Sequence, residues 1–103
     1  MKAIVNGKRY DTDTARKITG ASYGYGGDFC AWEEALYITT RGAFFTAGTG
    51  GAMTSYARRV DSNSTSGGSE IRPLSRAEAA QWIEDHGTPD VYAVEFPDLL
   101  QDA

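Results

Sequence analysis

Cys30 and His86 are the sole thiol and the sole imidazole of the chain. A histidine-activated cysteine nucleophile would therefore have to be built from this one pair. Cys30 sits in the apolar run Phe29-Cys30-Ala31-Trp32, where a thiol serves as a small hydrophobe. A metal centre would need further His or Cys ligands, which the sequence lacks. Glu33-Glu34 looks like the carboxylate pair of a glycosidase. Neighbouring residues on a strand point to opposite faces, however, so these two would not converge on one substrate atom and read as strand-edge charges. Gly24-Tyr25-Gly26 opens like a dinucleotide fingerprint with its third glycine misplaced, and Gly48-Thr49-Gly50-Gly51 lacks the Lys-Ser/Thr pair of a phosphate loop. Both read as flexible turns. With no HExxH, CxxC or Gly-x-Ser-x-Gly in the chain, the expectation is a binding protein with no catalytic residue, cofactor or metal.

Charge gives that expectation a direction. The 103 residues carry 14 acidic and 10 basic side chains, a net −4, which disfavours direct binding to nucleic acid. No Lys or Arg follows Arg76, while Glu78, Glu84, Asp85, Asp90, Glu95, Asp98 and Asp102 do. Such a separation creates a negative field that steers a protein toward a basic surface. The candidate partner-binding residues are Glu84, Asp85, Asp90 and Glu95, with Tyr23, Tyr25 and Tyr56 as aromatic anchors. The basic pair Arg58-Arg59 reads as solvated surface.

The elements that must position these residues follow from turn and capping signals. Ala3-Ile4-Val5 and Lys8-Arg9-Tyr10 flank Asn6-Gly7, a two-residue hairpin. Asp11 to Gly20 has a capping acid or threonine at its start, Arg16 and Lys17 near its end and a terminal glycine, the pattern of a two-turn helix. Residues 21–28 read as a Gly/Tyr/Ser loop. Trp32 to Thr40 and Ala43 to Ala47, joined at Arg41-Gly42, predict a long antiparallel hairpin. Residues 52–60 fit a helix or a strand equally. Residues 61–69, rich in Ser, Asn and Gly, predict a mobile loop, and Ser69 to Leu74 a strand ending at Pro73. Ser75-Arg76-Ala77-Glu78 is a capping box, and Ala79, Trp82, Ile83 and His86 fall on one face of the helix that follows, closed by Gly87. His86, in the last turn, reads as structural and half-buried. Residues 89–95 read as a short helix, although Val91 to Phe96 fits a strand, and 97–103 as a loosely docked acidic tail. The fold class is thus α+β: a small antiparallel sheet built from hairpins, packed with two or three short helices in a single domain, 1–103. No run approaches the roughly 18 apolar residues that span a bilayer. The opening is too short and too soon polar for a signal peptide, so the cytoplasm of a bacterial host is expected.

Lys2-Ala3-Ile4-Val5-Asn6-Gly7-Lys8-Arg9-Tyr10-Asp11-Thr12-Asp13-Thr14-Ala15 resembles the opening of a group of small bacterial proteins carried on phages, plasmids and other mobile elements. The resemblance continues through Trp32 to Thr39, Gly42 and Phe45, and again through Gly67 to Ser75, Glu78-Ala79 and Trp82. Some similar mobile-element proteins are anti-CRISPR inhibitors. The resemblance implies a protein that binds a Cas effector subunit and blocks guide loading, target DNA binding or nuclease recruitment; the matched positions are turn, cap and core residues and carry no functional role across. An antitoxin or immunity-type protein neutralising a basic partner, an accessory protein of element transfer, and a small enzyme acting on a Cas component are the other expectations.

Overall fold

Asn6 and Gly7 both adopt positive φ, 51° and 77°, the torsions that a type I′ turn requires and that glycine supplies without steric penalty. They join β1 (Lys2–Val5) to β2 (Lys8–Asp11) in an antiparallel hairpin. The computed structural model describes residues 1–24, 29–59 and 65–103.

The helix expected over Asp11 to Gly20 does not form. The Asp11 carboxylate accepts from the Asp13 amide at 2.9 Å, and the Asp11 carbonyl from the Ala15 amide at 3.0 Å. The capping acid closes one turn, and the chain then extends as β3 (Arg16–Tyr23). An Asx turn and a helix N-cap share this residue signature, and the β-branched Ile18 and Thr19 tip the balance toward a strand. The first residues of the expected 21–28 loop also belong to β3.

The long hairpin forms as expected: β4 (Trp32–Ile38) pairs antiparallel with β5 (Phe44–Gly50) around a turn in which the Gly42 amide donates to Thr39. Gly48 and Gly50, expected in a turn, lie inside β5. Residues 52–57 run as turns to the short β6 (Arg58–Arg59), which pairs with β7 (Thr65–Ser66). Within the expected loop 61–69, residues 61–64 lie outside the described residues, and 65, 66, 68 and 69 are strand. β8 (Gly68–Leu74) pairs with β5. The main sheet has the order β3-β4-β5-β8. Pro73 is tolerated because β8 is an edge strand. The register of β3 on β4 shifts between Lys17 and Thr19.

Ser75 begins α1 (Arg76–His86) with a complete capping box: its Oγ accepts from the Glu78 amide, and the Glu78 carboxylate accepts from the Ser75 amide. Thr88 caps α2 (Pro89–Glu95), which settles the choice between helix and strand there. The fold is therefore α+β, antiparallel sheets with two short helices. No helix among the described residues is long and apolar enough to cross a membrane.

Alternation along the strands gives the sheet two covered faces. On one, Leu36 and Phe44 meet Ala79, Ala80, Trp82 and Ile83 of α1, with Phe96 beyond α2. On the other, Phe45, Ala47 and Ile71 meet Tyr10 of the β1–β2 hairpin, supported by Ala3 and Val5. Tyr37 stacks on Phe45 with centroids 5.2 Å apart, and Tyr10 meets Phe45 edge-on at 5.5 Å.

Candidate functional site

Glu34 shares the parity of Leu36 and Ile38 on β4 and so faces the helical layer. It is half-buried, and its carboxylate accepts two hydrogen bonds, from the indole N–H of Trp82 on α1 and from the phenol of Tyr56. Glu34 is thus not a strand-edge charge, because β4 is an interior strand. Glu33, on the opposite face, is exposed, so the two carboxylates diverge as alternation requires.

Tyr56 reaches Glu34 because β5 is stripped of side chains beneath it. Gly48 lies across from Glu34 in the ladder, and a methyl group there would stand 2.7 Å from Cζ of Tyr56. At Gly50 it would stand 2.9 Å from Cβ of Thr54, and at Gly68 2.6 Å from the Tyr56 carbonyl. The glycine run is a trough in which residues 52–57 lie against the sheet, a close backbone approach that glycine permits within a strand. Tyr56 is only 4% exposed. Burial above all, and then its hydrogen bond to Glu34, push its phenol well above the ordinary value of 10.0. It is fixed as a neutral donor.

Arg72 of β8 closes the other side of Tyr56, its guanidinium 4.1 Å from the ring centroid. The same guanidinium donates to Glu70 at 2.8 Å, to the Ser55 carbonyl at 2.9 Å and to Ser55 Oγ at 3.2 Å. Its ion pair is with Glu70. An open cleft of ≈ 540 Å³ lies over this group, with Glu34, Tyr56 and Arg72 in its lining and Tyr23, Trp32, Cys30 and His86 around them. His86 is exposed rather than half-buried, its ring against Trp82 at 5.1 Å and Trp32 at 5.5 Å. The fold thus gathers the thiol and the imidazole to one cleft, where the imidazole is held by two indoles. Among the described residues, no group of His, Cys, Asp and Glu side chains could hold a metal ion.

The acidic residues divide into two sets. Glu95 accepts a bidentate pair from Arg16 at 2.8 and 2.9 Å, and its side chain is only 13% exposed. Arg16 holds its carboxyl below the usual carboxylate range. Asp98 is held likewise by Arg76 at 2.6 Å, and Glu78 by the capping box. Glu95, one of the expected partner-binding residues, is thus paired within the chain. Glu84, Asp85 and Asp90 remain exposed, and none of them has an ion pair among the described residues. They surround the corner where α1 passes through Gly87 and Thr88 into α2. Beside them lies a second cleft of ≈ 470 Å³, lined by Glu84 together with Ile83, Tyr92, Leu99 and Leu100.

Of the expected aromatic anchors, Tyr23 is 60% exposed, Tyr25 lies outside the described residues, and Tyr56 is buried with its hydroxyl engaged. The Glu34–Tyr56–Trp82 centre was not anticipated. The strand parity of Glu34 with Leu36 was the signal that could have revealed it.

No family model, curated protein or solved structure matches this chain.

Proposed function

We propose that the chain is an inhibitor that acts by binding. In this reading its acidic α1–α2 corner docks on the Lys/Arg-lined nucleic-acid channel of a partner complex, a Cas effector by the resemblance of its opening, and competes there with RNA or DNA. The observation that carries the reading is the state of Glu84, Asp85 and Asp90, three exposed carboxylates at one corner that form no ion pair among the described residues. Glu84 and Asp85 stand in the last turn of α1, where the helix dipole disfavours negative charge. The dipole does not explain acids at that position, whereas recognition of a basic surface does. The neighbouring cleft with exposed Leu99 and Leu100 supplies the apolar contact that a polar-rimmed interface needs. A channel that holds a nucleic-acid backbone must itself be basic, so a negative protein surface competes for it.

The test is a charge-reversal variant, Glu84→Lys/Asp85→Lys/Asp90→Lys, measured for binding to purified effector complexes and for release of their target DNA. The expected result is a loss of binding of about tenfold or more at low salt, with a melting temperature that is not lowered. Equal inhibition by the variant and the parent would remove the acidic corner from the mechanism.

A further inference from the structure

Glu34 is a half-buried carboxylate whose two hydrogen-bond donors, Tyr56 and Trp82, are both neutral. Among the described residues no Lys or Arg forms an ion pair with it. A partly desolvated carboxylate held only by neutral donors retains an uncompensated charge, the condition under which a cation is most strongly attracted. The cleft above it opens to solvent, with Trp32 and Tyr23 in its lining, and ring faces add to the attraction of a cation. Arg72 lines the same cleft but gives its hydrogen bonds to Glu70 and Ser55 rather than to Glu34. Its guanidinium, 4.1 Å from the Tyr56 ring centroid, shows that an organic cation packs against one aromatic ring of this cleft, Tyr56.

We infer that the cleft is a receptor for one basic side chain of the partner protein, an arginine guanidinium or a lysine ammonium. Glu34 is the counter-charge, and Trp32 and Tyr23 are the walls. The inference deepens the reading of the chain as a protein-binding inhibitor and rests on it: the acidic corner draws in a basic surface, and this cleft takes one residue of that surface as an anchor. The site is separate from the corner, since none of Glu84, Asp85 and Asp90 lines it.

The Trp82 indole N–H donates to Glu34, so its nitrogen–proton resonance reads the carboxylate directly. The experiment titrates the full chain with Nα-acetyl-arginine amide and Nα-acetyl-lysine amide, using Nα-acetyl-citrulline amide as the uncharged isostere and methylguanidine as the free head group. The expected result is a saturable shift of the Trp82 resonance with the charged amino-acid amides and none with citrulline. Glu34→Gln, which can still accept from Trp82 and donate to the Tyr56 oxygen, should abolish it. Trp32→Leu, which leaves the carboxylate in place, should weaken it about threefold to fivefold, the size of one cation–ring contact. An equal response to citrulline, undiminished binding by Glu34→Gln, or tighter binding of methylguanidine than of the blocked arginine would overturn the inference. The titration contains no effector, so its outcome is distinct from that of the effector-binding test: a chain that takes blocked arginine yet binds no effector keeps this cleft and loses the inhibitor reading.

Discussion

Gly48 lies directly beneath the ring of Tyr56, so close that one added methyl group would stand 2.7 Å from Cζ. The contact joins the sheet to the 52–57 segment, and backbone lies behind it, because the same methyl would also stand 2.7 Å from the Glu33 carbonyl. Gly48→Ala is therefore expected to lift Tyr56 from its trough, lengthen its hydrogen bond to Glu34 and destabilise the fold by about 1–3 kcal/mol. Urea unfolding of the two proteins measures the difference. An unchanged midpoint would show that the segment shifts freely over the sheet.

The Tyr56 phenol predicts behaviour in alkali. Its folded-state value is raised above the 10.0 of an exposed tyrosine, by burial first and by Glu34 second. The unfolded chain therefore releases this proton at lower pH than the folded one. The contribution to stability is intact below about pH 10 and falls as pH rises beyond it. Ultraviolet titration should leave the Tyr56 phenol un-ionised until the protein unfolds, and Tyr56→Phe should remove that late step. Ionisation of every tyrosine before unfolding would contradict the geometry.

Arg16 and Glu95 predict the acid side. The carboxyl of Glu95 is held below its ordinary 4.5 by the bidentate hydrogen bonds of Arg16. The unfolded chain binds this proton first, so the stabilisation is present above about pH 4.5 and is lost as pH falls through the depressed folded value. Because Arg16 is 59% exposed, solvent screening limits the pair to about 1 kcal/mol or less. Glu95→Gln should lower stability at neutral pH by that amount and flatten the decline in acid, as read by melting temperature against pH. A parallel decline in both proteins would assign the acid sensitivity to other groups.

The parts of this fold that local chemistry controls were legible in the residues. Asn6-Gly7 specified its own turn, Ser75 and Glu78 their own cap, and the aromatic and β-branched residues around Gly42 their own hairpin. Asp11 misled because an Asx turn and a helix cap draw on the same side chain, and only the extension of Arg16–Tyr23 against β4 separates the two outcomes. The Gly48–Gly51 run looked like a loop because the reason for its glycines, the Tyr56 ring, is brought over it by the fold. Glu34 was obscured in the same way, with one hydrogen-bond partner 22 residues along the chain and the other 48. The acidic C-terminal segment was visible as composition, but its division into paired Glu95 and Asp98 and unpaired Glu84, Asp85 and Asp90 depended on where Arg16 and Arg76 came to rest.

Among the described residues β3 is the outermost strand on its side of the main sheet, with only β4 beside it. An open margin of this kind invites a second copy to add its own margin and polymerise. Here the ladder falls out of step between Lys17 and Thr19, and Arg16 and Lys17 are exposed at the strand's beginning. Two antiparallel copies would bring the Lys17 charge and a broken repeat into the seam, so this strand carries its own guard against stacking into fibres.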